Sequence, residues 1–430
     1  MDSLDYLLSL ERFGIKFGLD NIRTLVTAFG NPHHHFKSIL VAGTNGKGSV
    51  TAMVDCALLA SGLKVGRYTS PHLVDLEERF VLNGRQIDRP TLTGVIDELR
   101  RLIDDLLANG SLEAPPTFFE ATTAIAFELF RRAKLDVAVL EVGLGGRLDA
   151  TNIVNPIAAA ITSIDFDHEQ YLGNTLAAIA AEKGGVVRPG RPVVVAPLAA
   201  EARNVIARQC QDAGAELIQA ESGVRIESMT EQGRTTVHIR TPVRDYGSIM
   251  LGLRGDHQVR NALVAVRLLE QLEGRLPVEM CSIAAGLRDV KWPGRLQMVE
   301  VSGGHRVLLD AAHNPAGAWA LARYLRREFP EPLPLVFGAM RDKDVTLMLK
   351  TLVPVASMMI MTEPKTPRAH DAGELAEIAR SLTAVEIDVQ RDPRAAVDHA
   401  WRRCPLVCAA GSIFLVGNLL ENFGESARDI

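Results

Sequence analysis

Along the first two-thirds of the chain, short β-rich runs alternate with segments patterned as helices. Residues 38–42, 63–68, 135–142, 158–164 and 192–196 read as strands, and 49–61, 120–134 and 175–183 as helices. Strand and helix in alternation predict a mostly parallel sheet with helices on both faces. Residues 216–252 break that rhythm. The stretch VRIESMTEQGRTTVHIRTP alternates around a turn at 231–233, which predicts a β-hairpin. A helix is expected over 258–272, and the run KWPGRLQ at 291–297 holds Pro and Gly together and reads as a linker. The α/β alternation then restarts, with strands expected at 306–310, 335–338, 358–362, 385–389 and 406–409.

Composition narrows the class. A chain of 430 residues is comfortable as two domains, and its 47% hydrophobic and 23% charged residues are ordinary for a soluble globular protein. The net charge of −5 leaves no surplus of Lys and Arg for neutralising a nucleic-acid backbone, so no nucleic-acid partner is expected. A local basic pocket for a polyanionic small molecule remains compatible with it. Cys56, Cys210, Cys281, Cys404 and Cys408 are scattered without CxxC spacing, which points to reduced thiols rather than a disulfide framework or a zinc site. The opening MDSLDYLLSLERFG lacks the basic start of a signal peptide. No apolar run approaches the roughly 20 residues that span a bilayer. The expectation is a cytoplasmic protein without a membrane partner.

The strongest chemical signal is Val41-Ala42-Gly43-Thr44-Asn45-Gly46-Lys47-Gly48-Ser49, an apolar strand running into glycines and a lysine and then a helix. Glycines let backbone N–H groups turn inward around phosphate oxygens, and the helix N-terminus adds partial positive charge. Lys47 supplies a full charge, and the Ser49 hydroxyl can reach Mg²⁺. Such a loop lies at the carboxyl end of a strand, where open α/β sheets bind ligands. It departs from the common pattern G-x-x-x-x-G-K-[ST], because Val41 stands at the first glycine position and Gly48 follows the lysine. That disfavours a GTPase or an ordinary ATPase.

The narrower pattern G-T-N-G-K-G-[ST] resembles the Mur ligase superfamily, and within it folylpolyglutamate synthase and the bifunctional dihydrofolate synthases. Other stretches carry the resemblance further. They are Arg67-Tyr68-Thr69-Ser70-Pro71-His72-Leu73, the run from Glu141 through Arg147 and Asp149 to Thr151-Asn152, and Asp167-His168 with Glu182-Lys183-Gly184-Gly185. His257-Gln258 with Asn261-Ala262, Pro293-Gly294-Arg295 and Asp310-Ala311-Ala312-His313-Asn314-Pro315 follow in the family's order. Together they cover about residues 17–417.

The resemblance implies an α/β fold: a P-loop-containing, mostly parallel sheet domain with a β-rich insertion over 1–292, then a smaller Rossmann-like α/β domain over 297–430. It implies ATP on Thr44, Asn45, Gly46, Lys47, Gly48 and Ser49, with Asn261 at the base, Arg295 at the phosphates and the Asp310–His313 turn closing over the nucleotide. It implies Mg²⁺, as two ions with K⁺ admissible, on Ser49, Ser70, Glu120, His168 and Lys183, the lysine being carbamylated. Lys47, His168, Lys183, Asp310 and His313 are the expected catalytic groups. Phe17, Gly18, Leu19 and Asp20, with Ser70, Pro71 and His72, are expected at the pteroate or folate substrate.

The residues alone leave plainer readings open. Glu120 also suits a helix start, His168 a hydrogen-bonded loop, Lys183 a solvated helix end and Arg295 a surface turn. Asp310 and His313 also suit an Asx-type turn capping the next helix, and Asp20 an ordinary helix cap. His33-His34-His35 reads as a loop, since consecutive residues do not share a face. Arg341-Asp342-Lys343-Asp344 either takes the carboxylates of an incoming glutamate or is solvated.

The function implied is ATP-dependent ligation of L-glutamate to dihydropteroate, tetrahydrofolate polyglutamates or both, through an acyl phosphate, in a monomer. One rival only elongates the glutamate tail. A peptidoglycan Mur ligase is disfavoured because the loop at residue 43 leaves no room for a preceding uridine-nucleotide domain. A non-catalytic nucleotide-binding regulator would be expected to lack one of Lys47, Glu120, His168, Lys183, Asp310 or His313.

Overall fold

The computed structural model describes residues 2–424, so the last residues of the expected second domain, 425–430, lie outside the described residues. Eight strands form the first sheet: β1 (Lys37–Ala42), β2 (Val65–Tyr68), β3 (Phe80–Leu82), β4 (Arg85–Gln86), β5 (Val137–Glu141), β6 (Ala158–Ile161), β7 (Pro192–Val195) and β8 (Glu216–Gln219). Their order is β4-β3-β2-β5-β1-β6-β7-β8, parallel from β2 across to β8 and antiparallel where β3 and β4 extend one edge. Strands β1 and β5 are buried at almost every residue, because helices cover both faces. Ile39 and Val41 pack toward the helices Lys47–Ala60, Asp256–Glu270 and Met280–Asp289. Leu40 and Ala42 face the opposite layer, which includes Asp20–Ala28, Arg89–Ala108 and Phe118–Arg132. Each fully buried side chain of this kind contributes about 1.5–3 kcal/mol relative to exposure.

The expected hairpin is present as β9 (Arg225–Glu231) and β10 (Arg234–Arg240). Its turn residues Gln232 and Gly233 both lie at positive φ, 49° and 71°, as a type I′ turn requires. A third strand, β11 (Asp245–Met250), completes a separate antiparallel sheet. Thr241 and Tyr246 donate to the buried Glu270 carboxylate at 2.5 and 3.1 Å, which ties this insertion to the helix Asp256–Glu270.

A third sheet holds β12 (Gln297–Val301), β13 (His305–Asp310), β14 (Leu333–Phe337), β15 (Ala356–Met361), β16 (Glu386–Val389) and β17 (Leu406–Ala410), in the order β12-β13-β17-β14-β15-β16. All its pairs are parallel except β12 with β13. Strand β12 begins at the last residue of the expected linker. It is half-buried at one edge, so it carries no long apolar run. Among the described residues, no helix is long and apolar enough to cross a membrane. The carboxyl ends of β1 and β5 meet the carboxyl end of β13 beside residues 291–295, and a cavity of about 880 Å³ opens there.

Candidate active site

The phosphate loop is shaped by what surrounds it. Gly43 has φ 143°, and a Cβ there would sit 2.1 Å from Thr162 Oγ1. Gly46 has φ 87° and faces Asn261 Oδ1 at 2.4 Å from the same notional atom. Neither position accepts a side chain. The Thr44 N–H donates to Ser163 O at 2.9 Å and the Asn45 N–H to Ser163 Oγ at 2.9 Å, so the turn is pinned to the segment after β6. Lys47 opens the helix Lys47–Ala60 and folds back, donating to Gly43 O and Thr44 O at 3.1 Å each.

Lys183 approaches the same carbonyl. Its Nζ donates to Gly43 O at 2.9 Å, and the residue is only 4% exposed, so it is not the solvated lysine that its helix-end position allowed. Burial, and then the Lys47 charge, lower its pKa to about 7. An amine held there is substantially neutral at physiological pH and nucleophilic.

Among the carboxylates lining the cavity is Glu141, the last residue of β5. Its Oε2 accepts the Ser70 N–H at 3.1 Å. Burial raises its pKa, opposed first by Lys47, then by the Ser70 hydrogen bond and Arg295. Glu120 stands elsewhere. It occupies the third position of the helix Phe118–Arg132, where Oε2 accepts the Thr117 N–H at 2.7 Å while Thr117 Oγ1 accepts the Glu120 N–H at 3.2 Å. That reciprocal capping box engages one oxygen of its carboxylate, and Glu120 does not line the cavity. Of the two carboxylates, the structure brings Glu141 to the cavity and leaves the expected metal ligand Glu120 outside it. A carboxylate closing an apolar, fully buried strand was the sequence signal that could have found Glu141.

Glu141, Ser70, Ser49 and His168 line the same cavity, and their donor atoms are mainly oxygen, as suits Mg²⁺. Among the described residues no group of three or more His, Cys, Asp or Glu side chains forms a ready-made cage. Mg²⁺ commonly completes its shell with substrate phosphates and water, so these residues fit it. His168 sits at φ 52° and its N–H donates to Asp167 Oδ1 at 2.9 Å. Burial lowers its imidazole to a pKa of about 4, leaving a neutral ring at pH 7.

From the third sheet come Arg295, Asp310 and His313. Asp310 holds two backbone N–H groups, Leu296 at 3.0 Å and Ala312 at 2.9 Å. His313 Nδ1 donates to Ala311 O at 2.9 Å, which leaves Nε2 as the unprotonated nitrogen of a ring whose pKa burial lowers to about 4. Asn314 caps the next helix through Gly317 N at 2.8 Å and reaches across the cleft, donating to Asn45 Oδ1 at 3.0 Å and Asp167 Oδ2 at 3.1 Å. Asp310 makes the Asx-type turn, but the helix cap falls to Asn314 rather than to Asp310 or His313.

Lys343 was open between solvent and substrate. Its side chain is 10% exposed and donates to Asp167 Oδ1 at 2.7 Å. Burial alone would raise Asp167, but neighbouring His168, Lys343 and His313 together hold it well below the usual carboxylate range. At pH 7 both imidazoles are neutral.

Several expected substrate residues lie outside the cavity. Phe17 is 52% exposed with its ring 6.0 Å from Tyr171, and Asp20 projects into solvent from the first residue of its helix without capping it. Neither they nor Gly18 and Leu19 line the cavity, whereas Ser70 and Pro71 do. His72 turns away, its Nδ1 accepting from Arg79 Nε at 2.9 Å. His33 and His34 form part of a short turn, Pro32–His34, with His33 packed 5.9 Å from the Phe127 ring. The ATP-loop residues, Asn261, Arg295, Asp310, His313, His168 and Lys183 all line the one cavity, joined by Glu141, Asp167, Arg67 and Trp292, which sequence reasoning had assigned no role.

Comparison with known proteins is consistent over the whole chain. The Mur ligase middle domain matches residues 41–269, and the Mur ligase glutamate ligase domain matches 294–413. A protein of Halobacterium salinarum, named a probable bifunctional folylpolyglutamate synthase/dihydropteroate synthase, is 38% identical over 425 residues, covering 96% of this chain and 50% of its own. The chain spans about half the length of that relative and of a second haloarchaeal one. Among solved structures, Mycobacterium tuberculosis folylpolyglutamate synthase complexed with ADP and AMPPCP superposes with a TM-score of 0.91 at 32% identity, covering 99% of each chain. The bifunctional folylpolyglutamate synthase/dihydrofolate synthase of Yersinia pestis, complexed with AMPPNP and a Mn ion, gives a TM-score of 0.84 at 31% identity, covering 98% of each.

Proposed function

This chain belongs to the Mur ligase family, in its folylpolyglutamate synthase/dihydrofolate synthase branch, and from that premise we propose that it joins L-glutamate to a pteroate or folate carboxylate at the expense of ATP. The observation that carries the reading is the convergence of the Lys47 loop, Ser70, Glu141, His168 and Lys183 with Arg295, Asp310 and His313 around one cavity. The proposed division puts the ATP-binding domain at 1–292 and the glutamate-ligase domain at 297–430.

Lys47 and the N–H groups at the start of its helix hold the ATP phosphates, and Arg295 approaches them from the linker. The acceptor carboxylate attacks the γ-phosphorus, forming an acyl phosphate as ADP leaves. The glutamate amine then attacks the acyl carbon, phosphate departs, and an amide remains. Neutral His313 offers Nε2 to the proton that the ammonium must lose. Mg²⁺, held by Ser70, Glu141, His168 and Ser49, would offset the repulsion between the acceptor carboxylate and the triphosphate. A carbamate on Lys183 would keep one N–H, so its bond to Gly43 O could survive while oxygen ligands replace the positive charge. Closure of the second domain excludes water from the acyl phosphate.

The bifunctional reading, dihydropteroate and tetrahydrofolate polyglutamates both serving as acceptors, is preferred to tail elongation alone. A coupled ADP-release assay across dihydropteroate, tetrahydrofolate and its mono- and diglutamates tests both points. Turnover requiring glutamate with either acceptor class is the expected result. Release indifferent to glutamate and acceptor would sink the ligase reading, and release with folates alone would restrict it to elongation.

A further inference from the structure

The glycine after Lys47 is demanded by a residue of the linker. A Cβ on Gly48 would lie 2.6 Å from Trp292 Cζ2, 2.9 Å from Cε2 and 3.0 Å from Nε1. Gly48 is not among the glycines with positive φ, so space rather than backbone conformation excludes a side chain there. The indole is half-buried and braced on one side. The Arg67 guanidinium lies 5.2 Å from its centroid, a cation–π distance, and Arg67 Nη1 donates to Asp55 Oδ2 at 2.9 Å. Asp55 is 3% exposed at its side chain and belongs to the same helix, Lys47–Ala60, that Gly48 helps to open. Helix, strand β2 and linker are thus joined through Gly48, Trp292, Arg67 and Asp55. Trp292 precedes Arg295 by three residues, and both line the cavity. In the common loop a hydroxyl follows the lysine directly. Here the indole takes that side chain's space, and the hydroxyl comes one residue later on Ser49, where Gln258 Nε2 donates to it at 3.2 Å.

We propose that Trp292 is a positioning residue that couples the linker between the two α/β units to the phosphate loop, so that movement of the segment bearing Arg295 is felt at Gly48. The proposal rests on reading that loop as the ATP site. A double-substitution cycle on the full chain, read by ADP titration, tests it without requiring turnover. Gly48→Ala alone weakens ADP binding by roughly tenfold or more, because the loop must give way to a rigid ring. In a Trp292→Ala background the same change costs less than about threefold, because the space is open. Equal penalties in both backgrounds overturn the proposal. Should Trp292→Ala fail to fold by circular dichroism, Trp292→Leu carries the same cycle.

In the coupled assay, Trp292→Ala lowers kcat by roughly tenfold while KM for ATP stays within about threefold, and Trp292→Phe, which keeps a ring over Gly48, recovers most of the loss. A loss of stability with no change in kcat would mark a packing role alone and overturn the coupling. Wild-type protein that binds ADP but ligates no acceptor would refute the ligase reading while leaving the binding cycle readable.

Discussion

At the carboxyl edge of the first sheet, Lys47, Lys183 and Glu141 line the cavity on a frame made by glycines and by backbone bonds to Ser163. At the carboxyl edge of the third sheet, the polar side chains mainly hold their own turn. Asp310 binds Leu296 and Ala312, His313 binds Ala311, and Asn314 caps a helix. What remains to face across the cleft is Arg295, His313 Nε2, one amide of Asn314 and Lys343. One side is built to grip a polyanion. The other is built to keep a shape while it meets the first, so substitutions on the two sides should fail differently.

The sharpest break is Lys47→Ala. It should lower turnover by about a thousandfold or more, with the thermal midpoint nearly unchanged, since the side chain binds only carbonyls of its own loop. Calorimetry beside the ADP-release assay separates the two effects, and retained activity would remove the loop from the mechanism. Next comes Glu141→Gln, expected to cost roughly a hundredfold in kcat and to raise the Mg²⁺ needed for half-maximal rate. A magnesium titration reads this, and an unchanged metal dependence would return the metal role to another carboxylate.

On the second side, Lys343→Met should lower kcat/KM for glutamate by about tenfold through loss of its bond to Asp167, with little change in ADP affinity measured by titration. An effect of similar size should appear with pH. Lys183 must be neutral to take up CO₂, and its pKa is about 7. The neutral fraction therefore falls as the pH drops through 7, from about a half there to about a tenth one pH unit below it. Activity lost there should return with added bicarbonate, and Lys183→Ala should be partly rescued by small carboxylic acids. Indifference to both would count against the carbamate. The smallest effect is expected from Glu120→Ala, about 1 kcal/mol of stability from the broken capping box, with kcat within about twofold of wild type. Thermal unfolding measures the first, and a large kcat loss would reinstate Glu120 at the site.

Much of this was legible in the chain. Parallel strands buried on both faces announce themselves as apolar runs, and residues grouped at one strand end, such as Gly43–Ser49, share a neighbourhood without help from the rest of the fold. Strand β12 was missed because an edge strand half-exposed on one face leaves no such run. The spacing Thr117-Phe118-Phe119-Glu120 already carries a capping-box signature, whereas the place of Glu141 at the cavity depends on where β5 lies in the sheet. Lys343 could not be decided, since its partner Asp167 is 176 positions away.

Local order along the backbone, then, already specified a phosphate-gripping turn, two α/β units and the residue types that ligation needs, because helix entry, strand burial and glycine geometry are settled within a few neighbours. Which acid faces the cavity, which lysine spans the cleft and why no side chain fits at position 48 depend on atoms brought together from distant stretches. Sterics and burial act through space, and only packing the sheets against each other decides what meets what.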